Sequence, residues 1–232
     1  MRIVAAGISA RFDPSLGILT GFNAGGHAPL HTAPWVGQEA MSADAPPHLA
    51  KLGGDFFCAP CGGAEDGPPP HGWPPNAQWE ASAEGDRLTA TLTRKVYGAT
   101  LRKELTVKDH HPFVYQSHIF EGGVGEVAVA NHANVSLPEG GHIRTSHKRW
   151  WETPPEPLEG DPARGRSTLR YPAKGAMTDF PGQEAPVDLS QFPWGRAHED
   201  FACGVEAPAT SLGWTAVTRI VQRDVFLSLR IP

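Results

Sequence analysis

Two histidines of this chain stand where an imidazole is readily turned to proton transfer. His71 lies in a stiff loop, between Pro68-Pro69-Pro70 and Gly72-Trp73. His132 lies in Asn131-His132-Ala133-Asn134, where a clean strand pattern breaks into a polar run. Imidazole has a reference pKa of about 6.5, so a histidine at a strand end can give or take a proton at neutral pH. Two of them drawn from distant loops suit general acid–base work on a small neutral substrate. For either residue alone, a satisfied structural histidine is the competing reading.

The loop that carries His71 runs from Gly53 to Trp79 and is punctuated by glycine and proline. Prolines fix φ and remove backbone donors, while glycines permit turns that a side chain forbids. Such a segment is a poor core element and a good holder for side chains that must point one way. An ordinary surface loop is the plain alternative. Within it, Cys58-Ala59-Pro60-Cys61 has C-x-x-C spacing. A redox motif of this spacing opens a helix, but Gly62-Gly63 follow here. A structural zinc site wants four ligands, and the one other cysteine is Cys203. The pair is therefore read as two small buried residues. No H-x-H cluster occurs among the eleven histidines, so no metal ligands are assigned. His27, His31 and His48 fall in a polar excursion, and His110 and His111 in a turn.

The aromatic residues narrow the ligand class. Trp35, Trp73, Trp79, Trp150, Trp151 and Trp194 fall in loops or at loop edges. Flat rings beside Asn, Asp and His match a pyranose, which has apolar C–H faces and a hydroxyl rim. The same rings can instead pin long loops onto a sheet.

These residues must be positioned by strands. The 26 glycines and 23 prolines leave little room for helices, and 40% hydrophobic residues supply a real core. Residues 2–10 and 16–22 read as strands. Leu88, Ala90 and Leu92 alternate with threonines, and Leu101, Lys103, Leu105 and Val107 share one face, the period of a half-buried strand. Residues 113–120 and 124–131 read as the next two strands of an antiparallel meander. Residues 138–200 are the least regular part, and Arg144, Lys148 and Arg149 there read as a solvated basic cluster. Strands return at 214–221 and 225–231. With no repeat or linker, one domain over residues 1–232 is the simplest organisation, and all-β domains often reach this length.

Composition also excludes partners. A net charge of −5 argues against a nucleic-acid partner, which wants a basic footprint. No apolar run reaches the about 18–20 residues of a membrane helix, and the N-terminus lacks a signal-peptide apolar region. Three cysteines cannot all pair, which points to a reducing cytoplasm.

Four motifs together resemble the aldose 1-epimerase (galactose mutarotase-like) family. They are GGDFFCAPCG at 53–62, HGWPPN at 71–76, VANHANVSL at 129–137, and AHEDFACGVEAP at 197–208 followed by Leu212-Gly213-Trp214. The resemblance implies an all-β fold with few or no helices, a large antiparallel β-sandwich of the supersandwich type. It implies a small-molecule sugar ligand, an aldose or a hexose phosphate, and no cofactor. It makes His132 the general acid at the ring oxygen and His71 an orienting partner there. Asn76, Trp73, Asp55 and His118 become substrate contacts. The family's general-base glutamate has no counterpart at its usual late position, so the chain reads as lacking the family's final strands. Glu199 and Asp200 are carboxylates outside the family's place for its base. A catalytically incomplete carbohydrate-binding protein on the same fold is therefore the alternative to the epimerase.

Overall fold

The computed structural model describes residues 1–38, 46–62, 67–161, 163, 166–194, 199–208 and 210–231. Gly63 and the Ala197-His198 start of the fourth motif lie outside them. The described residues are dominated by antiparallel strands, with one four-residue helix. The chain divides into two compact units, Met1–Ser136 and Leu137–Pro232.

Among the described residues, the first unit holds nine strands. These are β1 (Arg2–Ala5), β2 (Ile8–Asp13), β3 (Ile18–Ala24) and β4 (Asp55–Cys58), then β5 (Trp79–Glu84) and β6 (Arg87–Leu92). They continue with β7 (Ala99–Thr106), β8 (Tyr115–Gly122) and β9 (Ala130–Ala133). The strand expected over 2–10 is split into β1 and β2 at Ala6-Gly7, where Gly7 has φ 81°. One sheet runs in the order β1-β2-β3-β4-β9 and the other β5-β6-β7-β8. They share a single apolar cluster: Ile3, Ile8, Ala10, Phe12, Leu19 and Phe57 from the first, Trp79, Leu88, Ala90, Leu92, Leu101 and Leu105 from the second. The alternation of β6 and β7 explains this, since every second residue is buried. Helix α1 (Pro47–Ala50) lies in the early excursion and buries His48.

The second unit contains β10 (Gly141–Thr145), β11 (Lys148–Glu152), β12 (Lys174–Gly175) and β13 (Gln191–Phe192). It ends with β14 (Cys203–Glu206), β15 (Gly213–Arg219) and β16 (Asp224–Arg230). The sheet orders are β13-β10-β15-β16 and β12-β11-β14. Its apolar centre is Leu169, Phe180 and Leu189, with Trp151, Tyr171 and Trp194 packed on them. Asp200 spends its carboxylate here, accepting from the amides of Thr168 and Leu169 and from the Tyr171 hydroxyl. It is a structural brace.

Candidate functional site

The site is built outward from β4. Its four residues are all buried, so the strand is covered on both sides. Successive side chains of a strand point to opposite faces. Asp55 and Phe57 therefore face one way, Phe56 and Cys58 the other. Across the ladder, Phe56 lies directly opposite His132 of β9. Their rings stack at 4.5 Å between centroids and 10° between planes. His71 meets both edge-on, 5.7 Å from Phe56 and 5.2 Å from His132. His48 from α1 completes the group, 5.0 Å from His71 and nearly perpendicular to it. Three imidazoles thus gather around one phenylalanine.

His71 is held by its backbone. Its φ of 68° is in the left-handed region, which side-chain-bearing residues rarely adopt. The cost is met by bonds from the His71 amide to the Gly62 carbonyl and from the Ala59 amide to the His71 carbonyl. At Gly72 (φ 77°), a Cβ would come within 2.1 Å of the Ala59 carbonyl oxygen, so no larger residue fits that turn. Asn76 then ties the loop to α1. Its amide nitrogen donates to the carbonyls of Pro70 and Gly72. Its oxygen accepts from the His48 backbone amide and lies 2.9 Å from His48 Nδ1. Because that oxygen only accepts, the network assigns the His48 proton to Nδ1 and the lone pair to Nε2.

Burial also sets the charge of the cluster. Desolvation pulls His71 down to about 4, helped by repulsion from His132 and His48. His48 is lowered by burial against the raising effect of its Asn76 bond. His132 is lowered by burial too, opposed by the Asp55 charge. The Nδ1 atoms of His71 and His132 are buried without a hydrogen-bond partner. Buried polar atoms are nearly always paired, so two adjacent orphans mark a place for a ligand or ordered water. Among the described residues, no three His, Cys, Asp or Glu side chains converge to hold a metal ion.

The other face of β4 looks into the core between the two sheets. Asp55 accepts from Gln116 at 2.6 Å, and Phe57 stacks on His118 at 3.7 Å. Lys103 is fully buried, directly opposite His118 on the neighbouring strand. Its Nζ donates to the Gly17 carbonyl at 3.2 Å. Burial raises the Asp55 carboxyl above its usual range, against the pull of Lys103. It lowers Lys103 to about 8, and lowers His118 to about 2 with the help of the Lys103 charge.

The residues singled out from the sequence are thus divided. His71 and His132 come together. Asp55 faces the opposite side of β4, because a one-residue step along a strand reverses the side chain, and His118 of β8 lies on that side, stacked on Phe57. Asn76 has both ends of its amide engaged within the protein. Trp73 is half-buried against the core, with the Arg94 guanidinium 5.1 Å from its ring centre. Cys58 is buried and its thiol is pushed up to about 12, chiefly by desolvation, whereas Cys61 is exposed rather than buried. His48, Phe56 and Lys103 complete the two clusters; of these, Lys103 alone had a sequence signal, its place on the alternating face of β7. Trp35 and Trp79 pin loops, through indole bonds to the Leu49 and Pro74 carbonyls.

Neither of two surface hollows is lined by these rings. One of about 290 Å³ in the second unit is lined by Ser146, Lys148, Arg149, Trp150 and Trp151 among others. One of about 440 Å³ lies over β5–β7, around Glu80, Thr91, Arg102 and Glu104. Of the basic cluster, Lys148 is paired with Glu206 at 2.6 Å.

Known proteins offer no match. No family model, curated protein or solved structure matches this chain.

Proposed function

We propose that the chain is an aldose 1-epimerase-like enzyme, interconverting the anomers of a small neutral sugar at the face of β4 that carries Phe56. One observation carries the proposal. His71 and His132, from distant segments, stand 5.2 Å apart with buried, unpartnered Nδ1 atoms. His132 donates to the ring oxygen, and His71 orients the sugar and steadies charge at the same atom. As His132 gives its proton to the ring oxygen, the bond from C1 to that oxygen breaks and the anomeric hydroxyl passes its proton to the lone pair of the neutral His71 imidazole, leaving the open-chain aldehyde. Rotation about C1–C2 and reclosure from the other side give the second anomer. Held neutral by burial, each imidazole carries one N–H and one lone pair, so a donor and an acceptor are both at hand. The fold that goes with this reading is a supersandwich, supported by two antiparallel sheets that share one core. The cytoplasm is its proposed location.

A second reading, a carbohydrate-binding protein without turnover, is favoured by the place of Asp55. That carboxylate faces the other side of β4, and among the described residues no hydrogen bond or ion pair joins a carboxylate to either ring. Removing a general base costs about 10²–10⁴ in rate. Polarimetry and exchange NMR on α-glucose and α-galactose separate the two. Anomer exchange faster than in buffer, lost in His132→Ala, is the expected result. Exchange at the buffer rate, with sugar-induced shifts of the histidine resonances, gives the binding protein instead. Neither exchange nor shifts would sink both.

A further inference from the structure

Asp55 and His118, read from the sequence as ligand contacts, look into the core together with Lys103 and Gln116. The four come from three strands: Asp55 from β4, Lys103 from β7, Gln116 and His118 from β8. Lys103 lies directly opposite His118 in the β7–β8 ladder, and Gln116 is two residues from His118 on the same face. Gln116 Nε2 donates to Asp55 Oδ2, and the His118 ring stacks on Phe57, two residues from Asp55. The polar ends therefore meet inside the first unit, away from the Phe56 face of β4. Lys103 is 0% exposed and Asp55 8%. Their hydrogen bonds do not add up. Asp55 Oδ1, Gln116 Oε1 and His118 Nε2 are each buried without a partner. Lys103 has three N–H groups and spends one, on the Gly17 carbonyl. No hydrogen bond or ion pair joins Lys103 to Asp55, although each lies in the other's field. Buried polar groups are nearly always paired, and here three orphans adjoin an under-used ammonium.

The group that completes this set must both give and take hydrogen bonds. Gln116 turns its amide nitrogen to a carboxylate, so its oxygen is the open end and accepts. Asp55 Oδ1 accepts as well, whereas the ammonium only donates. Burial keeps the His118 ring neutral, so it carries one N–H. A cation would face the Lys103 ammonium, and an anion would face two bare oxygens. An organic ligand would need an opening that the enclosed lysine and aspartate deny it. Water fits, because it donates two bonds and accepts two, and buried waters sit where several orphaned polar groups converge. We propose that the chain holds one structural water here: Lys103 Nζ and His118 Nε2 donate to it, and Asp55 Oδ1 and Gln116 Oε1 accept from it. The water joins a lysine and an aspartate that direct contact leaves apart, and it ties β4 to β7 and β8 across the two sheets. This site does not rest on the sugar reading of the Phe56 face.

The test is the water-oxygen magnetic relaxation dispersion of the full chain, which counts long-lived waters and is blind to exchanging side-chain protons. The double variant Lys103→Met, His118→Phe keeps the bulk of both side chains and removes both donors. Its dispersion amplitude is expected to fall below that of the wild type by one water per chain, with circular dichroism unchanged. Two measurements on the wild type need no variant. The ring-nitrogen NMR shifts of His118 are expected to show the proton on Nε2, and the Gln116 side-chain amide should give an NOE to water. Equal amplitudes in the two proteins overturn the proposal. So does a bare His118 Nε2, or a Gln116 amide with no water NOE.

Discussion

Lys103 is the residue whose burial is hardest to reconcile with charge. It is fully enclosed, between the Phe12 and Trp79 rings at 5.6 and 5.8 Å, and its ammonium has one carbonyl partner. A buried charge without a close counter-ion is expensive, and replacement by an apolar side chain of similar length is often neutral or favourable. Burial lowers Lys103 from 10.5 to about 8 in the folded chain. Between those values the unfolded chain holds the extra proton, so stability should climb as pH rises from about 8 to about 10.5. Below about 8 the full cost of the charge is present. The expectation for Lys103→Met is a urea midpoint at pH 7 no lower than wild type, and a flat midpoint where the wild type rises. A steep loss of stability in the variant would show that the ammonium holds the core together. The sequence placed Lys103 on the core face of its strand by alternation but gave no reason for a lysine there. The Asp55 charge, which opposes the lowering, is brought near it only by sheet packing.

At the scale of the element, β4 decides the site. Phe56 touches His132, His71 and His48 on one side, while Phe57 touches His118 and Phe120 on the other. Phe56→Ala should cost about 3–5 kcal/mol of stability in urea denaturation. It should also raise the NMR titration midpoints of His71 and His132, because water would replace the ring that desolvates them. Unchanged midpoints would mean that other groups keep these imidazoles neutral. The strand was hard to see in the sequence for the same reason it matters. Burial on both faces removes the alternation that identifies a strand, and glycines and Cys-Ala-Pro at its ends look like loop. Strands β6 and β7 bury one face only and were plain from their period. His71 and His132 were legible because rigid or strand-end segments hold them, whereas His48 sits on a single helical turn inside an unpatterned excursion. The strand expected over 124–131 is instead β9, at 130–133, because only those four residues find a partner in β4. Val124 ahead of it is 85% exposed.

At the scale of the molecule, each unit has its own apolar centre, one around Leu101 and Leu105 and one around Phe180. Calorimetry should therefore resolve two transitions. Phe180→Ala should lower one of them by more than about 10 °C and leave the other in place. A single transition moved as a whole would mean that the units unfold together. Most of the second unit was opaque in the sequence, since β12 and β13 are two residues each and its loops are fastened by side chains such as Asp200 and Thr153. Side-chain bracing of that kind leaves no periodic trace.

The two-sided burial of β4 has one more outcome. The strand is a party wall: the imidazoles lean on one surface and the interior lysine and carboxylate on the other, with four residues of backbone between. Breaking the packing on the imidazole side is therefore expected to register on the inner side: Phe56→Ala should move the NMR titration midpoint of Lys103, and an unmoved midpoint would mean that the wall keeps its two sides independent.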